Sequence, residues 1–199
     1  LIQLAIEAGL PPDLVSVITG DPNLLGQKLC ADARVRKISF TGSSEVGRLL
    51  MAQSAPNLKR LSLELGGNAP LLIFEDADID KAVAELTYGS LNMAGQICVA
   101  AARFLVHANI AKTFEERMVA AYSAVKVGRG SDPASTMGSL IDLPSQQRVL
   151  GLIEQAGDEG RMILQGGWDG AGAFLTPTLF GIEDVTSSLV QEELFGPIV

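Results

Sequence analysis

A cysteine at position 98 lies in the run Asn92-Met93-Ala94-Gly95-Gln96-Ile97-Cys98-Val99-Ala100-Ala101-Ala102-Arg103. The small side chains around it, with a glycine just upstream, leave an electrophile room to reach the sulfur. No charged residue occurs from Leu86 to Ala102, so the thiol is expected in dry surroundings. Only a thiolate is a good nucleophile, and burial disfavours the charged form. Cys98 therefore needs an activating partner, or it is one of the many cysteines that serve as small buried contacts. Glu64 is a second residue that could do chemistry. It ends the apolar run Leu61-Ser62-Leu63 and is followed by Leu65-Gly66-Gly67-Asn68. Open α/β sheets bind ligands at the carboxyl edge of their strands, and a carboxylate withdrawn from water there is suited to general-base work. A solvated glutamate at a strand end is the plain alternative.

Two further segments could hold a ligand. Phe40-Thr41-Gly42-Ser43-Ser44-Glu45-Val46-Gly47 reads as a strand turning into a helix. Gly42 would let the backbone approach a ligand, and the helix that follows offers free N–H groups to an anion. An ordinary βα turn has the same look, and the GxGxxG fingerprint is absent. In Gln191-Glu192-Glu193-Leu194-Phe195-Gly196-Pro197, adjacent carboxylates and an aromatic could bind a ribose hydroxyl and pack a ring, or simply form a surface corner. Cys30 reads as a small apolar contact on its helix. His107 ends a strand, and a Cys98–His107 dyad of a thiol hydrolase is the remote alternative.

These residues need a scaffold, and the rest of the chain supplies the pattern for one. Of 199 residues 47% are hydrophobic and 19% charged, which suits a globular α/β protein. The net charge of −8 gives no footing for nucleic acid or an anionic membrane, so small molecules are the expected partners. Two cysteines make no disulfide framework, which points to a reducing, cytoplasmic setting. With one histidine, no metal-ligand cluster of soft residues can be assembled, so no metal is expected. Strands are predicted at Leu14–Ile18, Val35–Phe40, Arg60–Leu65, Pro70–Phe74, Arg103–Val106, Met162–Leu164, Phe174–Leu175 and Leu189–Gln191. Helices are predicted at Pro22–Cys30, Ser44–Gln53, after Asp76 or Asp78, at Ile110–Val125 and at Ser145–Ala156. The alternation is that of βαβ units on a parallel sheet. The chain opens inside a helix that Gly9 ends and lacks an initial methionine, so it reads as an internal fragment of a longer protein.

Taken together, Phe40-Thr41-Gly42-Ser43, Leu63-Glu64-Leu65-Gly66-Gly67, Gly95-Gln96-Ile97-Cys98, Phe174 with Pro177-Thr178, and Glu193-Leu194-Phe195-Gly196-Pro197 resemble the motifs of the NAD(P)-dependent, non-acylating aldehyde dehydrogenases, in order and spacing. The resemblance implies an α/β fold of that family: the C-terminal part of a Rossmann-like dinucleotide-binding domain over residues 1–65, then most of a catalytic domain over residues 66–199. It implies that Cys98 attacks the aldehyde and that Glu64 activates water to hydrolyse the thioester. The Cys98 backbone N–H would be one oxyanion donor. Gly42, Ser43, Leu65, Gly66, Glu193 and Phe195 would line the cofactor, NAD or alternatively NADP, with Glu193 on the nicotinamide ribose. It further implies a parent homodimer or homotetramer acting on a small aldehyde.

Met93 stands where the family often has asparagine, and Gly138-Ser139 where Gly-Pro is usual. Other parts of the family site have no counterpart in these 199 residues: a second oxyanion donor, an asparagine, and the lysine and acidic residue that hold the adenosine ribose. The fragment alone is therefore expected to be inactive. An acylating relative that passes its thioester to coenzyme A, and a non-catalytic protein keeping the fold, are the competing readings.

Overall fold

Two β-α-β passages form as parallel pairs, and these place the candidate site residues. The computed structural model describes residues 1–168 and 170–199, and the chain divides into two compact units, Leu1–Leu65 and Gly66–Val199.

In the first unit, α1 (Ile2–Glu7) ends at Gly9, whose φ of +103° allows the Gly9 N–H to reach Ile6 O and the Leu10 N–H to reach Ala5 O, both at 2.9 Å. This paired closure is a common helix stop. Helix α2 (Pro22–Ala31) starts where Asp21 accepts the Leu24 N–H at 2.8 Å, with proline in the first turn. Strand β1 (Lys37–Thr41) runs parallel to β2 (Arg60–Glu64), with α3 (Ser44–Ser54) between them. Lys59 Nζ ties the exit of α2 by donating to Asp32 O at 2.6 Å and Val35 O at 2.7 Å. Cys30 is buried on α2, where Ser54 Oγ donates to its sulfur at 3.5 Å, so it is a packing contact.

The predicted strand Leu14–Ile18 does not form. Pro11-Pro12 set up a single 3₁₀ turn over Pro12–Leu14. Val15 is extended, but no strand pairs with this stretch among the described residues, and Leu14, Val17 and Ile18 are exposed. β-branched residues favour extended backbone; without a neighbouring strand there is no ladder.

In the second unit, β3 (Ala69–Ile73) runs parallel to β4 (Ala101–Val106), joined through α4 (Ile79–Leu91), which Asp78 caps by accepting the Lys81 N–H at 3.1 Å. Val83 and Leu86 turn one face of α4 into the core, and α5 (Ala108–Ser123) packs against that helix through Phe114, Met118 and Tyr122. Ser90 and Tyr122 are both buried. Ser90 Oγ donates to Leu86 O at 2.6 Å, so the Tyr122 hydroxyl, 2.7 Å away, is the donor between the two. Burial pushes the Tyr122 phenol up, opposed in part by its Ser90 bond, and keeps that proton in place. Helix α6 (Leu143–Glu159) buries Val149, Ile153 and Ala156 at helical spacing. Strand β5 (Arg161–Leu164) pairs antiparallel with β6 (Leu179–Gly181), and α7 (Ser188–Gln191) is one short turn.

Two more of the predicted strands do not form. Phe174–Leu175 stays irregular, because the neighbouring Thr176 and Thr178 hydroxyls accept the Gly167 and Gly166 N–H groups at 2.9 and 3.0 Å and Pro177 has no N–H to give. Antiparallel pairing with β5 begins only at Leu179, after a parallel bridge between Thr178 and Ile198. Leu189–Gln191 is helical, not extended, since Ser187 Oγ accepts the Leu189 N–H at 3.2 Å and starts a turn that buries Leu189. Among the described residues no helix is long and apolar enough to cross a membrane.

Candidate active site

The first unit gathers Gly42, Ser43, Glu64 and Leu65 at the carboxyl end of its parallel pair. Thr41 lies in register with Glu64, and the Gly42 N–H donates to Glu64 O at 3.0 Å. Ser43 caps α3, its hydroxyl accepting the Val46 N–H at 3.3 Å. The remaining first-turn amides of α3 have no intrahelical partner and suit an anion. The Glu64 side chain is exposed, not withdrawn from water as its sequence context suggested, because it occupies the last residue of a strand in a two-stranded sheet. Leu65 packs against Gly47 of α3.

The second unit brings Gly66, Gly67, Cys98 and Glu193 together. The Gly67 N–H donates to Glu193 Oε1 at 3.1 Å, across 126 residues of sequence. A Cβ on Gly66 would run into the Glu193 carboxylate, and one on Gly67 into the Cys98 carbonyl oxygen. Bare backbone at 66–67 is thus what lets the Cys98 loop and the half-buried Glu193 close on the same segment. Glu193 Oε2 accepts no hydrogen bond among the described residues and is free for a hydroxyl. Gly67→Ala is expected to cost about 1–3 kcal/mol, the usual range for forcing a methyl into occupied space. Urea denaturation of the variant checks this.

Cys98 itself is exposed, so the dry thiol expected from the uncharged sequence run is overturned. The reason is local geometry. Helix α4 ends at Leu91, and Met93 (φ 51°), Ala94 (φ 55°) and Gly95 (φ 72°) form a left-handed turn that directs the chain outward; Met93 and Val99 are exposed while Ala94 and Gly95 are buried. A Cβ on Gly95 would strike the Gly196 carbonyl oxygen, so this turn abuts the Glu193–Gly196 segment. Gln96 stitches the loop down: its Nε2 donates to Met93 O at 2.8 Å, and its Oε1 accepts the Ile141 N–H at 2.9 Å. The Ala100 N–H closes a turn on Ile97 O at 2.9 Å. The Cys98 N–H has no acceptor among the described residues and is available to a developing oxyanion.

His107 takes no part. Its Nδ1 accepts the Asn109 N–H at 3.3 Å as the cap of α5 and lies 3.8 Å from Glu75. Cys98 precedes β4 and His107 follows it, so a six-residue strand, about 20 Å long, separates them. The dyad alternative is excluded.

Sequence reading passed over Asn68, Arg103 and Arg148. Asn68 Nδ2 and Arg103 Nη1 both donate to Val190 O, at 2.8 and 3.3 Å, and Arg103 Nη2 donates to Asn68 O at 2.7 Å. Arg148 donates to the carbonyls of Leu194 and Phe195. Their partners lie tens of residues away along the chain and carry no local signature.

The profile described as the aldehyde dehydrogenase family matches residues 1–199. The chain belongs to the aldehyde dehydrogenase family. It is 41% identical to a glutarate-semialdehyde dehydrogenase of Pseudomonas putida, over all of this chain and 41% of that one. It is 40% identical to a succinate-semialdehyde dehydrogenase of Escherichia coli K12 whose name specifies NADP(+), over all of this chain and 42% of that one. Among solved structures it superposes on a betaine aldehyde dehydrogenase of Staphylococcus aureus in complex with NAD+, with a TM-score of 0.92, 32% identity, and 99% of this chain against 40% of that one. The chain thus spans about two fifths of the length of these relatives, and its α/β fold is that of the aldehyde dehydrogenases.

Proposed function

We propose that this chain supplies the nucleophile, the water-activating base and part of the nicotinamide site of an enzyme that oxidises an aldehyde to a carboxylic acid with hydride transfer to NAD(P)+. The observation that carries the reading is the convergence on Gly66-Gly67 of the Cys98 loop and the Glu193 carboxylate. Family membership gives that convergence a chemistry.

In this reading the Cys98 thiolate adds to the aldehyde carbon, forming a thiohemiacetal whose oxyanion accepts from the Cys98 N–H. One free donor of this kind is worth about 3 kcal/mol in the transition state. A bound nicotinamide would supply the hydride acceptor. Loss of hydride leaves a thioester on Cys98. Glu64 then takes a proton from water as that water attacks the thioester, releasing the acid and restoring the thiol. Splitting the oxidation into two stages is what covalent catalysis offers.

Each unit has groups of its own that suit part of a dinucleotide. Gly66 provides a cradle that a Cβ would fill, leaving Glu193 Oε2 free for a ribose hydroxyl, and the first turn of α3, after Gly42-Ser43, would present its unbonded amides to a phosphate. Phe195 and Leu65 would pack near the nicotinamide. Residues 1–65 are read as the C-terminal part of the dinucleotide-binding domain and 66–199 as the greater part of the catalytic domain. A homodimer or homotetramer in the cytoplasm completes the proposal.

A panel of succinic semialdehyde, glutaric semialdehyde and betaine aldehyde, each with NAD+ and with NADP+, tests this in the full-length protein. Reduced nicotinamide should appear with a free acid as product. An acyl-coenzyme A product formed only with added coenzyme A would select the acylating alternative. No turnover, together with a Cys98 inert to iodoacetamide near neutral pH, would select a non-catalytic role.

A further inference from the structure

The segment that carries Glu193 and Phe195 is seated on α6. Arg148 Nη1 donates to Leu194 O at 2.8 Å and Nη2 to Phe195 O at 2.9 Å, so one planar guanidinium spans two consecutive carbonyls. The next residue, Val149, is fully buried against Gly196, where an added Cβ would meet its Cγ2 at 2.6 Å. Two adjacent residues of one helix therefore hold residues 194–196. Phe195 between them has φ +47°, a backbone region that L side chains rarely adopt and keep only where surrounding contacts over-determine it. Partial burial weakens the hold of Arg148 on its proton and the Glu193 charge strengthens it, so the carboxylate and the guanidinium sense each other.

We propose that Arg148 is a positioning residue for Glu193. By clamping the Leu194 and Phe195 carbonyls it fixes the backbone from which the Glu193 carboxylate reaches Gly67, and thereby sets the affinity for the cofactor ribose. The affinity half of this inference rests on the ribose role of Glu193 proposed above; the clamp does not. Arginine suits the task because its rigid fork presents paired donors, whereas a lysine ammonium is a single point charge.

The test uses the full-length protein with Arg148→Met, Arg148→Lys, Glu193→Gln and the combined Arg148→Met/Glu193→Gln variant. Two quantities are read: amide hydrogen exchange of peptides covering residues 190–199 without cofactor, and dissociation constants for NAD+ and NADP+. Arg148→Met should speed exchange in that segment and raise the dissociation constant for the preferred cofactor about tenfold, the scale of losing charge-assisted hydrogen bonds. Arg148→Lys should recover only a minor part. The combined variant should bind no more weakly than Glu193→Gln alone, because one residue acts through the other. Unchanged exchange in Arg148→Met overturns the clamp. Losses that add in the combined variant overturn action through Glu193 and place Arg148 on the cofactor directly. Unchanged binding in Glu193→Gln overturns the ribose role, while the exchange result continues to support or overturn the clamp by itself.

Discussion

Cys98→Ala in the full-length protein is expected to lower kcat/KM for aldehyde oxidation by roughly four orders of magnitude or more, equivalent to at least about 5 kcal/mol of transition-state stabilisation. Alanine cannot form the covalent bond on which both stages of the proposed route depend, so no slower version of that route remains. The exposure of Cys98 makes the measurement clean. Its thiol is not part of the core, and substitutions at such positions usually change stability by less than about 0.5 kcal/mol. Loss of activity with unchanged unfolding and unchanged cofactor affinity therefore reports chemistry, not damage to the fold. Iodoacetamide should label the parent protein at Cys98 and spare the variant there, with the buried Cys30 protected in both. Aldehyde oxidation surviving in Cys98→Ala would remove the nucleophile from the mechanism.

Glu64→Gln should separate the two stages. In the proposed route the first stage leaves a thioester and one equivalent of reduced nicotinamide per Cys98, and it does not need Glu64 as a base for water. Pre-steady-state mixing should therefore show a burst, followed by steady turnover slowed by about 10²–10⁴, the usual worth of a positioned general base. The acyl group should persist on Cys98 and be visible as added mass on the intact protein. Glutamine keeps the size and polarity of an exposed strand-end residue, so the fold is not strained. A variant that loses burst and steady turnover in equal measure would assign Glu64 to activating the thiol. Rescue by added coenzyme A would show that an external thiol can do what the activated water no longer does.

Much of the scaffold was written locally. Asp21, Ser43 and Asp78 each announce a helix within three residues of the amide they cap, so these starts were legible. The parallel pairing of Lys37–Thr41 with Arg60–Glu64, and of Ala69–Ile73 with Ala101–Val106, follows the strand-helix-strand order read from the residues. What failed depended on partners that sequence does not display. Leu14–Ile18 has strand composition and nothing to pair with. Leu189–Gln191 became a helical turn through a single serine hydroxyl. Cys98 was expected to be dry because its neighbours carry no charge, yet three left-handed residues upstream turn the loop into solvent. In the candidate site, the glycine pair and Glu193 were visible as unusual residues, but their meeting spans 126 positions. Arg148 gave no sign at all, since an arginine in an amphipathic helix looks like solvated surface until residues 194–195 arrive at its tip.

The left-handed turn at Met93–Gly95 has a dynamic consequence. Two of its residues are not glycine, and each such backbone conformation stores on the order of 1–3 kcal/mol that neighbouring contacts must hold. Ala94 is buried, Gly95 is locked against Gly196, and the Gln96 backbone and side-chain N–H groups both bond Met93 O, so packing and hydrogen bonds together hold the turn. Stored strain of this kind lowers the free energy of local opening relative to the flanking helix and strand. The thiol is thus mounted on a loop that stores strain, and weakened contacts at Ala94 or Gly196 are expected to free the Cys98 loop before the sheet beside it unfolds.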